Sequence, residues 1–322
     1  MLAGSATSFS SDDPISGLTV GHVPDPVAEE GWTVVTVKAT ALNHHDLWSL
    51  KGVGLRAEQL PMILGTDAAG VDEVGNQVVI HAVSGDPARG GGDETFDPKR
   101  SLLSEVYNGT LAEKVTVPRR NLVTKPESLS FEQAACLPTA WLTAYRMLVT
   151  RGTLQSGETV LIQGAGGGVS TALIPLAKSL GLRVWVTSRD EGKRAHAVEL
   201  GADEAFEDGA RLPERVDAVM ESVGEATWSH SLKSLRPGGR IVVCGSTSGP
   251  NPPADLARVF FLQLSVIGST MGTRDELEAL IKHCERQSLA PLVDRTYALS
   301  DAASALTYLN SGEGFGKVVV TT

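Results

Sequence analysis

Apolar positions follow two rhythms along this chain. From Gly31 to about Val123 the runs are short or alternating, as in WTVVTVKA, QVVIHAV and LAEKVTVP, and Gly, Pro and Asp turns separate them. A period of two with such punctuation predicts strands in a strand-rich, partly closed sheet. SGDPARGGGDETFDPKR, Ser84 to Arg100, is polar and glycine-rich and reads as a loop excursion, not a domain boundary.

The rhythm changes after KPESLS, where Ser130 is placed to cap a helix. FEQAACLPTAWLTAYRMLVTRG has the apolar spacing of helices, broken at Pro138. TVLIQGAGGGVSTALIPLAKSLGLRVWVTSRD then reads as an apolar strand, a glycine turn, an amphipathic helix stopped near Gly181 and a second strand, which together make a βαβ unit. Pro175 removes one backbone bond from that helix and predicts a mild kink. The alternation continues through VDAVMESVG, GRIVVCG and LSVIGSTMG, predicting a doubly wound parallel sheet. TRDELEALIKHCERQSL predicts one more helix, and GKVVVTT a closing strand.

GAGGGVS carries the first chemistry. Gly164, Gly166, Gly167 and Gly168 sit between a buried strand and a helix, where they permit a tight turn. There the backbone N–H groups, including that of Val169, reach a pyrophosphate at the helix N-terminus. Roughly 20 residues further on, a dinucleotide site for NAD carries an acid that accepts from the ribose hydroxyls. Here the strand ends in Ser188 and Arg189, with Lys193 one turn on. A hydroxyl, a guanidinium and an ammonium suit a 2′-phosphate, so the expected cofactor is NADP(H). Two alternatives remain at this point: Arg189 and Lys193 as a solvated helix start, or Asp190 swung toward the ribose.

Length and charge narrow the class. A chain of 322 residues exceeds what one core usually organises, so two domains are expected. A net charge of -10 argues against a nucleic-acid surface, since such surfaces neutralise phosphates with Lys and Arg. No apolar run is long enough to span a bilayer, and the first residues lack a signal peptide's basic and apolar regions. Cys136, Cys244 and Cys284 form no C-x-x-C pair and fit a reducing cytoplasm.

ALNHHDLW, Ala41 to Trp48, crowds an Asn, two His and an Asp together and raises the question of zinc. Adjacent residues on an extended segment point to opposite sides, so one metal could hardly take both His44 and His45. Asp46 reads as a structural anchor for backbone N–H groups, and Cys136 as core.

With GTDAAGVDEVG, NGTLAEKVTVP, FEQAACLPTAWLTAY and GAGGGVS in this order and spacing, the chain resembles the medium-chain dehydrogenase/reductase superfamily, most of all its zinc-independent quinone oxidoreductase-like members. The resemblance implies an α/β architecture. A GroES-like, strand-rich catalytic domain would span 1–123, completed by 271–322, and a Rossmann NADP-binding domain would span 124–270. Matching the motifs of the zinc alcohol dehydrogenases puts Asn43, Thr66 and Thr139 or a neighbour at the metal-ligand positions, and no cysteine lies between Ser84 and Asn108 for a structural zinc loop. Asn and Thr oxygens replace thiolate and imidazole poorly, so no metal is expected.

The same resemblance implies further roles. His44 falls near the cofactor pyrophosphate, and His45 where relatives put the hydroxyl that relays a proton; packing is the other reading for both. Asn43, Thr143 and Val223 would line the nicotinamide end, and Gly245 and Ser246 would help close over the cofactor. Lys317 either reaches the cofactor side of the cleft or is a strand-edge lysine. Trp48 and Trp141 are either walls for a flat substrate or core. The function expected is hydride transfer from NADPH to a quinone or α,β-unsaturated carbonyl compound, by a cytoplasmic homodimer acting on small molecules, with neither nucleic acid nor membrane as partner. A zinc-dependent alcohol dehydrogenase with an atypical ligand set and a non-catalytic NADPH-binding sensor or structural protein are the alternatives.

Overall fold

The computed structural model describes Met1–Thr322. Ten strands come first: β1 (Leu2–Ala6), β2 (Leu18–His22), β3 (Trp32–Ala41), β4 (Met62–Ile63), β5 (Asp67–Asp72), β6 (Gln77–Ile80), β7 (Val83–Ser84), β8 (Ser101–Leu102), β9 (Lys114–Pro118) and β10 (Leu122–Thr124). Helix α1 (His44–Leu50) follows β3, and α2 (Phe131–Ala135) and α3 (Leu142–Arg146) follow β10. Strands and helices then alternate as β11 (Thr159–Ile162), α4 (Gly168–Ser179), β12 (Arg183–Thr187), α5 (Glu191–Glu199), β13 (Glu204–Phe206) and β14 (Val216–Glu221). Next come α6 (Glu225–Ser234), β15 (Leu235–Val243), α7 (Leu256–Phe261) and β16 (Ser265–Gly268), and the chain ends with α8 (Arg274–Gln287), β17 (Val293–Ala298), α9 (Ala302–Ser311) and β18 (Lys317–Thr321). No helix is long and apolar enough to cross a membrane.

The chain divides into two compact units, Met1–Leu142 with Met271–Thr322, and Thr143–Thr270. In the first, a seven-stranded sheet runs β10-β6-β5-β3-β18-β17, with β9 also paired to β3. Strand β3 is its axis. It is ten residues long, and its alternation buries Val35, Val37 and Ala39 in turn, so one strand bonds β5, β9 and β18. Leu42, Leu47 and Leu50 on and before α1 pack with Leu299, Leu306, Val318 and Val320 in one cluster, which welds the C-terminal return to the first strands. Each such leucine contributes about 1.5–3 kcal/mol by leaving water.

Residues 124–142 belong to this unit, not to the second domain where the sequence reading put them. Helix α2 packs on β3 and β5, and Leu137, Ala140 and Trp141 beyond it are buried. Apolar helical spacing marks a face for burial without saying which sheet it will cover. Pro138 does not break the chain's helical path either: Leu137–Trp141 widens into a π-helical turn, which tolerates the missing proline N–H.

In the second unit six parallel strands take the order β13-β12-β11-β14-β15-β16. Every residue of β11 is buried, as a strand covered on both faces requires. The order reverses beside β11, and in open sheets ligands bind outside the carboxyl ends of the strands at that switch point. Helix α4 runs unbroken through Pro175.

Candidate active site

The glycine turn of the second unit has the geometry its composition promises. Gly164 at φ +77° and Gly166 at φ +111° occupy conformations that disfavour side chains. A Cβ at Gly164 would come within 2.8 Å of Val223 Cγ2, so the turn and the end of β14 are in close contact. Gly167 precedes α4 in extended conformation, leaving the N–H groups of Gly168, Val169 and Ser170 at the helix end without intrahelical acceptors. Ser170 Oγ and Thr171 Oγ1 fold back onto the Gly167 carbonyl, at 2.9 and 3.0 Å. These residues fit a cofactor pyrophosphate.

Ala165 N donates to the Thr187 carbonyl at 2.8 Å, which sets the turn beside the end of β12. There Ser188 is buried, Arg189 exposed and Lys193 half-buried in the first turn of α5. Asp190 caps that helix, accepting from Lys193 N at 2.8 Å, so its carboxylate is already engaged. Ser246 crowds Gly224, where a Cβ would meet Ser246 Cα at 3.0 Å, and Gly245 faces the Ser222 carbonyl. Gly164, Val223, Gly245 and Ser246 are thus gathered around the carboxyl ends of β11, β14 and β15, while Thr143 is buried in α3.

Beneath the turn lies a polar network that motif reading missed. Glu221 is fully buried and accepts from Val223 N at 2.8 Å, Gly224 N at 3.1 Å and Ser231 Oγ at 2.6 Å, and it also bonds Thr227 Oγ1. Gln163 bonds Ser231 Oγ at 3.0 Å and accepts from Thr187 Oγ1 at 2.5 Å. The available signal was a charged residue ending the apolar run VDAVME, since a carboxylate there must find buried donors.

In the first unit, His44 and His45 open helix α1, not an extended segment, and their side chains diverge by about 100° around its axis. His44 is exposed. His45 is half-buried and its Nε2 lies 3.1 Å from Glu105 Oε1, while its Nδ1 is buried without a hydrogen-bond partner. Burial works to lower the His45 pKa, but the Glu105 hydrogen bond and the nearby Asp46 and Asp67 outweigh it and hold the pKa above the usual histidine value. Asp46 is fully buried and accepts from Asn43 N at 2.8 Å and Gly65 N at 2.9 Å, anchoring both segments. Burial raises its pKa against those bonds.

The positions that match zinc ligands hold a different device. Asn43 Nδ2 donates to Thr66 Oγ1 at 3.1 Å and to Asp67 Oδ2 at 3.0 Å, and Thr139 Oγ1 donates to Asp67 Oδ1. The π-helical turn at Pro138 carries this Thr139. Lys317 Nζ gives bonds to Leu42 O at 2.7 Å and Asn43 Oδ1 at 2.6 Å, and stands 3.6 Å from Asp67 Oδ2. An amide, two hydroxyls and an adjacent ammonium do not fit a tetrahedral zinc.

Three of the candidate side chains are engaged or enclosed within the fold. Lys317 is 3% exposed, bonded to Asn43 Oδ1 and 3.6 Å from Asp67 Oδ2. Asn43 divides its side chain among Lys317, Thr66 and Asp67. Trp141 is 1% exposed and belongs to the core, whereas Trp48, at 36%, keeps an open face. Asp67 and Glu105 were missed because their partners lie far along the chain.

A nucleotide-fitting glycine turn on a doubly wound sheet, in one chain with a strand-rich unit that has a buried polar core, defines a dehydrogenase-like class. The family described as alcohol dehydrogenase GroES-like domain matches residues 29–127, and that described as zinc-binding dehydrogenase matches residues 168–286. The chain is 31% identical over 326 residues to an acryloyl-coenzyme A reductase of Metallosphaera sedula, covering 95% of this chain and 97% of that protein. It is 29% identical over 316 residues to the quinone oxidoreductase of Homo sapiens, covering 92% and 90%. Among solved structures, an NAD-dependent alcohol dehydrogenase superposes with a TM-score of 0.91 at 33% identity, each chain covered in full. A 2-octenoyl-CoA carboxylase reductase in complex with NADP and 2-octenoyl-CoA gives 0.91 at 25% identity, with 99% of this chain and 87% of that one covered. The chain belongs to the medium-chain dehydrogenase/reductase superfamily, a superfamily of oxidoreductases with a GroES-like domain and a Rossmann domain.

Proposed function

We propose that this protein is a zinc-independent oxidoreductase that reduces an α,β-unsaturated carbonyl compound or a quinone with NADPH. The observation that carries the reading is the donor set at the zinc-ligand positions, where Asn43, Thr66 and Thr139 are tied to a buried Asp67 and Lys317. A Lewis acid stabilises the concentrated alkoxide charge that develops when simple alcohols and ketones interconvert. Conjugate reduction spreads the developing charge over an enolate, for which hydrogen-bond donors suffice. Relatives named acryloyl-coenzyme A reductase and quinone oxidoreductase, and a neighbour solved with NADP and an enoyl thioester, support that substrate class and cofactor.

NADPH supplies the hydride when bound. The Gly164–Val169 turn takes the pyrophosphate. Ser188, Arg189 and Lys193 take the 2′-phosphate. Engagement of Asp190 as a helix cap favours this over an acid on the ribose. His45 holds the proton that completes the product, and Trp48 offers a flat apolar wall. Three free cysteines suit the reducing cytoplasm as its location.

The test is NADPH consumption against an enone, its saturated ketone and a quinone. Turnover on the enone and quinone but not on the saturated ketone is expected. Preferential turnover of the saturated ketone would overturn the reading in favour of an alcohol dehydrogenase, and tight NADPH binding without turnover on any of them would favour a sensor or structural role.

A further inference from the structure

The loop that carries Glu105 is pinned from several sides. Ser104, just before it, sits at φ +70° and donates its N–H to the Tyr107 carbonyl at 2.8 Å, making a tight turn. Gln59 Nε2 donates to the Glu105 carbonyl at 2.5 Å, and Gln59 Oε1 is itself fixed by Arg56 N at 2.9 Å. Gly54 closes the other flank, where a Cβ would lie 3.6 Å from Glu105 Oε1. From this frame the carboxylate reaches His45 Nε2 at 3.1 Å, and the two side chains are 27% and 18% exposed.

We propose that Glu105 is a positioning residue for proton delivery, its carboxylate fixing the His45 ring and stabilising the cationic form. This rests on the reading of His45 as proton donor. A histidine ring half out of water and unpartnered would rotate and favour its neutral form. With Nε2 held by a carboxylate, orientation and charge are set together, as in other carboxylate–histidine pairs. The charged groups acting on the ring are Glu105 from the loop, Asp46 from α1 and Asp67 from β5. In the step itself the Nδ1–H bond of the imidazolium breaks and a new bond from that proton to the enolate forms, while the Nε2–H stays on Glu105. The neutral imidazole then regains its Nδ1 proton from water as the product leaves.

The experiment is the pH dependence of kcat on an enone for the parent, Glu105→Gln and His45→Ala, with NADPH affinity and thermal melting as folding controls. Glu105→Gln keeps the shape and removes the charge. Its turnover should fall about tenfold at about pH 8, the effect of losing one charge-assisted bond, and approach the parent's at about pH 6, where the ring is protonated without help. Quinone turnover and NADPH affinity should hold. An equal loss at every pH, or parent behaviour throughout while His45→Ala is impaired, would overturn the role of Glu105 and leave His45 standing. Parent turnover by His45→Ala would overturn both.

Discussion

Replacing Lys317 by Met removes the ammonium that pairs with the fully buried Asp67 carboxylate. Lys317 Nζ is bonded to the Leu42 carbonyl and to Asn43 Oδ1, and stands 3.6 Å from Asp67. Met matches the stem, so little volume is lost, and the cost is electrostatic. Breaking a buried pair on one side costs ~3–5 kcal/mol, and a buried carbonyl left without its partner costs ~1–3 kcal/mol, not additively. Asn43 and Thr139 still donate to Asp67, so we expect a loss of about 3 kcal/mol. The loss should depend on pH. Burial raises the pKa of Asp67 above its ordinary value although Lys317, Asn43 and Thr139 oppose it. A carboxyl whose folded pKa exceeds its unfolded value binds more protons folded than unfolded, so its contribution is favourable at low pH and is lost as pH rises through the folded pKa. Without Lys317 that pKa rises further. The variant's deficit should therefore be smallest in acid and widen toward neutral pH. Calorimetric melting of Lys317→Met, Asp67→Asn and the double variant from mildly acidic to neutral pH measures this. The double variant should recover much of the loss. A single variant within ~1 kcal/mol of the parent at all pH values, or a double variant as unstable as the sum of the singles, would refute the pairing.

Arg189→Ala should weaken NADPH binding about ten- to hundredfold and NADH binding little, measured by fluorescence titration; equal losses would assign Arg189 another role. His45→Ala should lower enone turnover roughly 10²-fold with NADPH affinity nearly intact, measured by steady-state turnover and fluorescence titration. The second unit should mediate a homodimer: edge strand β16 carries the half-exposed Val266, and Phe260 and Phe261 of the preceding helix are 67% and 80% exposed. Light scattering should give twice the chain mass at micromolar concentration, and Phe261→Asp should shift it toward monomer; a monomeric parent would count against this.

The regular parts of the fold were legible because their rhythms are local. Period two in WTVVTVKA and the strand, glycine turn and helix around Gly164 need no distant information. Helix α1 was harder, having seven residues directly after β3 with no turn between. Its one local sign was Asn43 followed three places on by Asp46, whose carboxylate returns to the Asn43 N–H. Trp48 and Trp141 are chemically alike, and only the face each presents separates the half-open ring from the core one. Lys317 and Glu105 were illegible for another reason. Lys317 meets Asn43 and Asp67 only because β18 pairs with β3, and Glu105 meets His45 only because its loop folds back to α1. Motif matching singled out Asn43, Thr66 and Thr139, but could not say that Asp67 and Lys317 are the groups they bond or stand beside.

The most direct test of metal-free conjugate reduction is where the hydride lands. Chelator-treated protein, shown by elemental analysis to carry no stoichiometric zinc, would be given an enone and NADPH deuterated at the transferred position, and the product read by NMR. Undiminished turnover with deuterium on the β-carbon of a saturated ketone is the expected result. Deuterium on the carbonyl carbon of an allylic alcohol, or turnover that returns only with one zinc per chain, would contradict it.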